Sequence, residues 1–370
     1  MATANDFIQN ESIAHAIWVS RYSTGVAKRI VNLLNQSDAE LVARLLVAMD
    51  GLDAKNFTVE RLESLLGSVR EVNKQAIDSI QASLSSEMLA FAQHEAGYQL
   101  SLFTTAIPEQ VIKQVSLQSI SAQQAYSAAM SQPFQGRLLK GWMKNLEADR
   151  MARISNVVRQ GFLLGDTTEQ IARKVRGHAN KGYQDSALQL SRSNAISITK
   201  TALGHMASVS RDHFANANSD IVKGKRWIST LDNRTTPECR IRDQLMYTMD
   251  NKPIGHKIPY LQGPGKLHFC CRSTEVLVLK SAKELGLDIR DIPNSSRASM
   301  DGQIPSEINY SGWLKNQKPE RQDEILGKTR ASLMRDGGLS FDEFYTDKGE
   351  YLSLEQLKRI DSEAFRRAGL

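Results

Sequence analysis

From Glu11 to about Met130 the apolar residues return every three or four positions, the spacing that lines one face of a helix. Ser37-Asp38-Ala39-Glu40 has the form of a capping box, in which the serine hydroxyl takes a free helix N–H and the glutamate reaches back to the cap. It would launch a stripe of Leu41, Leu45, Leu46 and Met49 that Gly51 stops. Thr58-Val59-Glu60-Arg61 opens the next helix, with Leu62, Leu65, Leu66 and Val69 as its apolar face. A longer run from Ser83 to Ile107 carries Met88, Phe91, Tyr98 and Leu102 and ends before Pro108, whose ring disfavours helix at the residue ahead of it. His15 and His94 read as ordinary packing residues, and no chemistry is expected here.

A second helical part begins near Pro133-Phe134-Gln135-Gly136. Leu139, Trp142, Met143 and Leu146 form its first stripe, continued by Met151, Ile154, Val157 and Val158 to Gly161. Gly165 supplies a C-cap, Asp166 or Thr167 caps a helix ending at Gly177, and a further helix spans about Asp185 to Ala217.

The period then changes. Lys225–Thr230, Leu245–Met249 and Val276–Leu279 are short runs whose β-branched and aromatic members suit strands, separated by turn-forming Asp, Asn, Pro and Gly. The prediction is an α+β fold, predominantly α-helical, with a small antiparallel β module and a helical C-terminal extension. Within that extension, Pro293 to Pro305 reads as a surface loop. Pro319 opens a helix through Ile325, Leu326 and Leu333 to Gly337-Gly338, and Ser353-Leu354-Glu355-Gln356 caps a last helix to about Ala368. Trp313, Phe341, Phe344 and Phe365 give it apolar surface to dock on this chain or a neighbour. Three regions are expected: 1–132 helical, 133–280 helices followed by the β module, and 281–370 the extension.

Composition changes this picture little. The chain has 370 residues, a net charge of +6 and 41% hydrophobic residues, enough for real cores. Lys and Arg are interspersed with Asp and Glu, so the basic excess favours DNA or an acidic partner only weakly. The N-terminus lacks the basic and apolar regions of a secretory signal, and no apolar run approaches the ~18 to 20 residues of a membrane helix. The expected compartment is a reducing cytoplasm, where cysteines are free or metal-bound rather than disulfide-linked.

All three cysteines, Cys239, Cys270 and Cys271, fall in the β module with His256 and His268. Thiolate and imidazole are the ligands zinc prefers, so Cys239, His268 and Cys270 or Cys271 are the candidate metal set. On a strand His268 would share a face with Cys270, and in a tight turn it would approach Cys271. A fourth ligand would have to be Asp243, His256 or Cys270. The competing reading makes the cysteines small buried hydrophobes. Arg234, Arg240, Arg242 and Arg272 could bind phosphate or a partner carboxylate; the favoured alternative has Asp232 capping a turn and pairing with Arg234 or Arg272. There is no phosphate-cradling loop, nucleophile elbow or His-Glu-x-x-His helix, and an enzyme is not expected.

Trp227, Asp232, Arg234, Thr235, Cys239, Asp243, His268, Cys271 and Arg272, in this order, resemble the phage head morphogenesis or minor capsid proteins of the Mu F-like group. Many members carry a cysteine where this chain has Thr236, another where it has Ser273, and a turn glycine where it has Gln244. The resemblance favours His268 with Cys271, and extends to helices from Pro133 and to Arg297–Gln303 and Arg321–Gly327. It implies a virion structural protein, made in the host cytoplasm and bound at the portal vertex or head interior during capsid assembly and DNA packaging or ejection. Its partners would be portal protein and major capsid or scaffold protein, with weak electrostatic contact to packaged DNA. The cofactor, if any, would be Zn2+. The alternative is a metal-stabilised DNA-binding or DNA-processing protein carried with the genome; a weaker option is an effector enzyme delivered at infection.

Overall fold

The computed structural model describes residues 4–50, 58–107, 109–281, 284–285, 296–299, 302–305 and 307–370. Two long helices, α1 (Ala4–Asp50) and α3 (Gly67–Ala106), run antiparallel, with the short α2 (Val59–Leu65) between them. At 1.5 Å per residue α1 is about 70 Å long. It buries Ile8, Val26, Ile30 and Leu34 in one core with Ile77, Ile80, Leu84, Met88 and Phe91 of α3, and Leu41 and Leu45 in another with Val69 and Val72 of α3.

The Ser37–Glu40 capping box is not formed, because α1 continues through it. Ser37 Oγ instead donates to the Leu33 carbonyl, and Asp38 is fully buried between two arginines. Arg150 donates to Asp38 at 2.6 Å and to Asn73 at 2.8 Å, and Arg192 pairs with the other Asp38 oxygen. Satisfying one buried carboxylate with two guanidinium groups ties α1 to the two helices that carry them. Gly51 and Pro108, the expected stops, lie outside the described residues.

After α4 (Glu109–Ile112) and α5 (Ala122–Ser131) come α6 (Leu139–Leu164), α7 (Thr168–Arg176) and α8 (Gln189–Ala217). The expected punctuation is present. Gly165 adopts φ 73° at the end of α6, and Thr167 with Gln170 forms a capping box for α7. α6 therefore ends at the expected Gly165 cap, one turn beyond the last residue of its apolar stripe at Gly161. The helices share two cores, one where α1, α3, α5 and α8 meet the sheet and one where α1–α3 meet α6 and α7.

The sheet has four antiparallel strands in the order β3-β2-β1-β4: β1 Val222–Ile228, β2 Met246–Tyr247, β3 Pro253–Ile254 and β4 Thr274–Leu279. A one-turn helix, α9 (Pro237–Arg240), leaves β1, and the loop after β3 returns across α8. There Gly204 of α8 faces Gly265, and a β-carbon on Gly204 would lie 2.6 Å from the Gly265 carbonyl oxygen. Among the buried polar residues, Lys225 donates to Asp212 at 2.7 Å, and Tyr260 hydrogen-bonds Glu275.

The surface loop expected over Pro293–Pro305 is, in its described part, a hairpin of β5 (Ser296–Ser299) and β6 (Gly302–Pro305). Beyond it lie α10 (Tyr310–Lys315), α11 (Pro319–Leu326), α12 (Lys328–Arg335), α13 (Leu354–Ile360) and α14 (Ser362–Arg367). The two expected terminal helices are each broken in two, the first at Gly327 with φ 78° and the second at Asp361, which caps α14. The Ser353–Gln356 capping box is formed. The extension packs Tyr310, Trp313, Phe341, Phe344 and Phe365 into one core with Leu231 and Ile241 of the β module, so it docks on this chain.

Candidate metal centre

Residues 268–271 form a tight turn in which Cys271 N–H donates to the His268 carbonyl and Cys270 takes φ 56°. This decides between strand and turn geometry: His268 and Cys271 lie on one side. Cys270 is directed elsewhere, its N–H donating to Thr201 Oγ1 of α8 at 3.0 Å. Cys239 arrives from α9 across the sheet. Its Sγ lies 3.4 Å from His268 Nε2 and 3.8 Å from Cys271 Sγ.

These separations suit a tetrahedral ion. Zinc–sulfur and zinc–nitrogen bonds of about 2.3 and 2.0 Å imply S···S near 3.8 Å and S···N near 3.5 Å. His268 is also oriented for ligation: Nδ1 lies 3.0 Å from the Phe269 carbonyl, which fixes the proton there and leaves the Nε2 lone pair facing the sulfur. The hydrogen bond from Cys239 holds the Cys271 thiol well below its usual range against the effect of burial, with His268 adding to it. The same bond, reinforced by burial, pushes Cys239 up. Burial would lower His268, but its contact with Cys271 raises it. Two sulfurs and an imidazole make a donor set that a divalent cation would hold as two thiolates and a neutral histidine.

Among the described residues no further Cys, His, Asp or Glu joins the three within 4.8 Å. Asp243 accepts from Ser229 N–H at 2.7 Å and Tyr310 N–H at 2.8 Å. His256 Nε2 lies 2.8 Å from the Met246 carbonyl. The groups near Cys239 that sequence reasoning passed over as ligands are hydroxyls. The side chains of Thr236 and Ser273 both approach its sulfur, although the Thr236 hydroxyl is buried without a well-aligned partner. Their signal was present, since these are the two positions where the resembled pattern has cysteine.

Around this centre the remaining site residues brace the module. Trp227 is fully buried, donates to Ser229 Oγ at 3.1 Å and packs with Tyr260. Asp232 accepts the N–H groups of Arg234 and Thr235 and a two-pronged contact from Arg272, with a bond of 2.8 Å to its Oδ1. Burial would raise the Asp232 carboxyl, but Arg272 holds it below the usual range. Arg240 donates to the carbonyls of Thr235 and Ile325, and Arg242 to those of Pro259 and Glu238. Both are buried, whereas the Arg234 side chain is exposed. Most of the arginines considered for phosphate binding are thus spent on internal bonds.

Residues 152–276, from the middle of α6 into β4, match the family described as Phage Mu protein F like protein. No curated protein and no solved structure gives a significant match. The matched span holds every residue of the centre and its bracing, so the similarity to the Mu F-like family, which supports a phage head morphogenesis or minor capsid family, covers the site itself.

Proposed function

We propose that this protein is a minor component of the phage head that acts by binding, at the portal vertex or the head interior, during capsid assembly and DNA packaging or ejection. The observation that carries the reading is the family match over residues 152–276. The internal use of Arg240, Arg242 and Arg272 agrees with it, because a module whose cations are bonded to its own chain serves as a brace. Portal protein and major capsid or scaffold protein are the partners, with packaged DNA touched only through the diffuse positive charge. In this reading Cys239, His268 and Cys271 hold one Zn2+ ion that stiffens the module and, through it, the docked C-terminal extension.

The second reading is a metal-stabilised DNA-binding or DNA-processing protein. It is favoured by the three-ligand set, since metal sites that do chemistry keep one position open. The test is co-sedimentation of the purified full chain with portal, major capsid and scaffold protein, beside titration of duplex DNA at rising salt. Stoichiometric binding to one of the proteins with weak DNA affinity supports the first reading. Tight, steeply salt-dependent DNA binding with no protein partner supports the second.

A further inference from the structure

Outside the family-matched span, the α1–α3 pair brings His15 to two adjacent residues some 80 positions away in sequence. His15 of α1 and His94 and Glu95 of α3 offer ligand atoms that all lie within 4.8 Å of one another. Glu95 is fully buried, yet neither of its carboxylate oxygens has an aligned hydrogen-bond donor, and neither ring nitrogen of the buried His15 has an aligned partner. His15 Nε2 stands 2.8 Å from Glu95 Oε1, and His94 Nδ1 stands 3.7 Å from the same oxygen; burial would raise the carboxyl, but these two contacts hold it below its usual range. A buried carboxylate in this condition calls for an ion or solvent to satisfy it.

We propose that His15, His94 and Glu95 form a second metal site, for a divalent first-row transition ion of the zinc class. Two imidazoles and a carboxylate are a donor set such ions take. Bonds of about 2.0–2.2 Å place neighbouring ligand atoms about 3.0–3.6 Å apart, and the separations of 2.8 and 3.7 Å lie just either side of that range. The His94 side chain is 44% exposed, which gives an ion a way in from solvent. The site joins the two long helices beside the stacked rings of Trp18 and Tyr98, where His15 lies 3.8 Å from Tyr98 and His94 lies 4.2 Å from Trp18, centre to centre. Arg211 is the other charge acting on Glu95, and it is paired with Glu275 at 3.5 Å, so it leaves the carboxylate available.

Cobalt(II) separates this site from the cysteine centre, because only thiolate ligation gives a sulfur-to-cobalt charge-transfer band. The full chain, purified without metal, is titrated with cobalt beside His94→Ala, a half-exposed helix position whose loss leaves the fold intact, and beside Cys239→Ser. The site predicts a visible band without sulfur character that survives in Cys239→Ser. It also predicts that His94→Ala weakens that component by more than about tenfold. Absence of a sulfur-free component in the wild-type chain, or an identical titration of His94→Ala, would mean an ion pair of His15 and Glu95 only and would overturn the proposal.

Discussion

Asp243 accepts the Ser229 N–H with one oxygen and the Tyr310 N–H at 2.8 Å with the other, so one carboxylate joins the end of β1 to the start of α10 in the C-terminal extension. Replacing it with alanine leaves two buried N–H groups without this acceptor, at about 1–3 kcal/mol each. Asp243→Ala is expected to lose about 2–4 kcal/mol in urea unfolding and to open residues 307–370 to limited proteolysis first. Asp243→Asn, which keeps one acceptor, should lose less.

The Asp38 carboxylate is the corresponding joint among the helices. Asp38→Ala strands Arg150 and Arg192 as buried cations, and breaking such a pair costs about 3–5 kcal/mol. A fall of that size in unfolding free energy is expected, with α6 and α7 gaining amide exchange before the sheet does. A loss below about 1 kcal/mol would place the arginines in solvent instead.

Gln244 sits at φ 69°, donating its N–H to the Trp227 carbonyl at 2.8 Å, where the resembled pattern has glycine. A left-handed conformation costs a residue with a β-carbon about 1–2 kcal/mol. Glycine recovers part of this while giving up chain entropy in the unfolded state. Gln244→Gly should therefore raise the melting temperature, by a net stabilisation of up to about 1 kcal/mol, and leave metal content unchanged.

His205 gives the helical core a pH dependence. Burial first, and the charge of Lys266 second, lower its pKa to about 4, against the pull of the Ala129 carbonyl 3.0 Å from Nε2 and the charge of Asp212. The unfolded chain, with a histidine near 6.5, takes up a proton that the folded chain refuses between those two values. Stability is full above about pH 6.5, falls as pH drops toward 4, and levels off below, a change on the order of 3 kcal/mol. His205→Gln should flatten that part of the curve measured by urea midpoint.

The cysteine centre makes its own prediction through Ser273. With Ser273 against the Cys239 sulfur, Ser273→Cys supplies a third thiolate and so a fourth ligand. It should raise zinc affinity by more than about tenfold, whereas Cys239→Ser should abolish the chelator-sensitive part of the melt. Equal chelator response in the three proteins would remove zinc from the account of this module.

Much of this architecture was legible in the chain because local signals agreed with long-range packing. Thr167–Gln170 and Ser353–Gln356 look like capping boxes and are, since no buried partner competes for their side chains. Ser37–Glu40 has the same form but lies inside α1, because Asp38 faces two arginines more than 100 positions away in sequence. The cysteine centre could be anticipated from scarce residue types gathered in one turn-rich stretch. His15 with Glu95 could not, since their approach depends on the antiparallel register of two helices, which no local pattern encodes. The docking of Tyr310 on Asp243 was hidden for the same reason.

The most direct test of the account is to delete the gene for this chain from the phage that encodes it, and then count heads by electron microscopy and weigh their protein content by quantitative mass spectrometry, with wild-type and Cys239→Ser copies supplied in trans. A head morphogenesis protein predicts the chain in purified heads at few copies, defective or empty heads without it, rescue by the wild type and poorer rescue by Cys239→Ser. Normal, DNA-filled heads in the deletion, with the wild-type chain absent from particles, would contradict it.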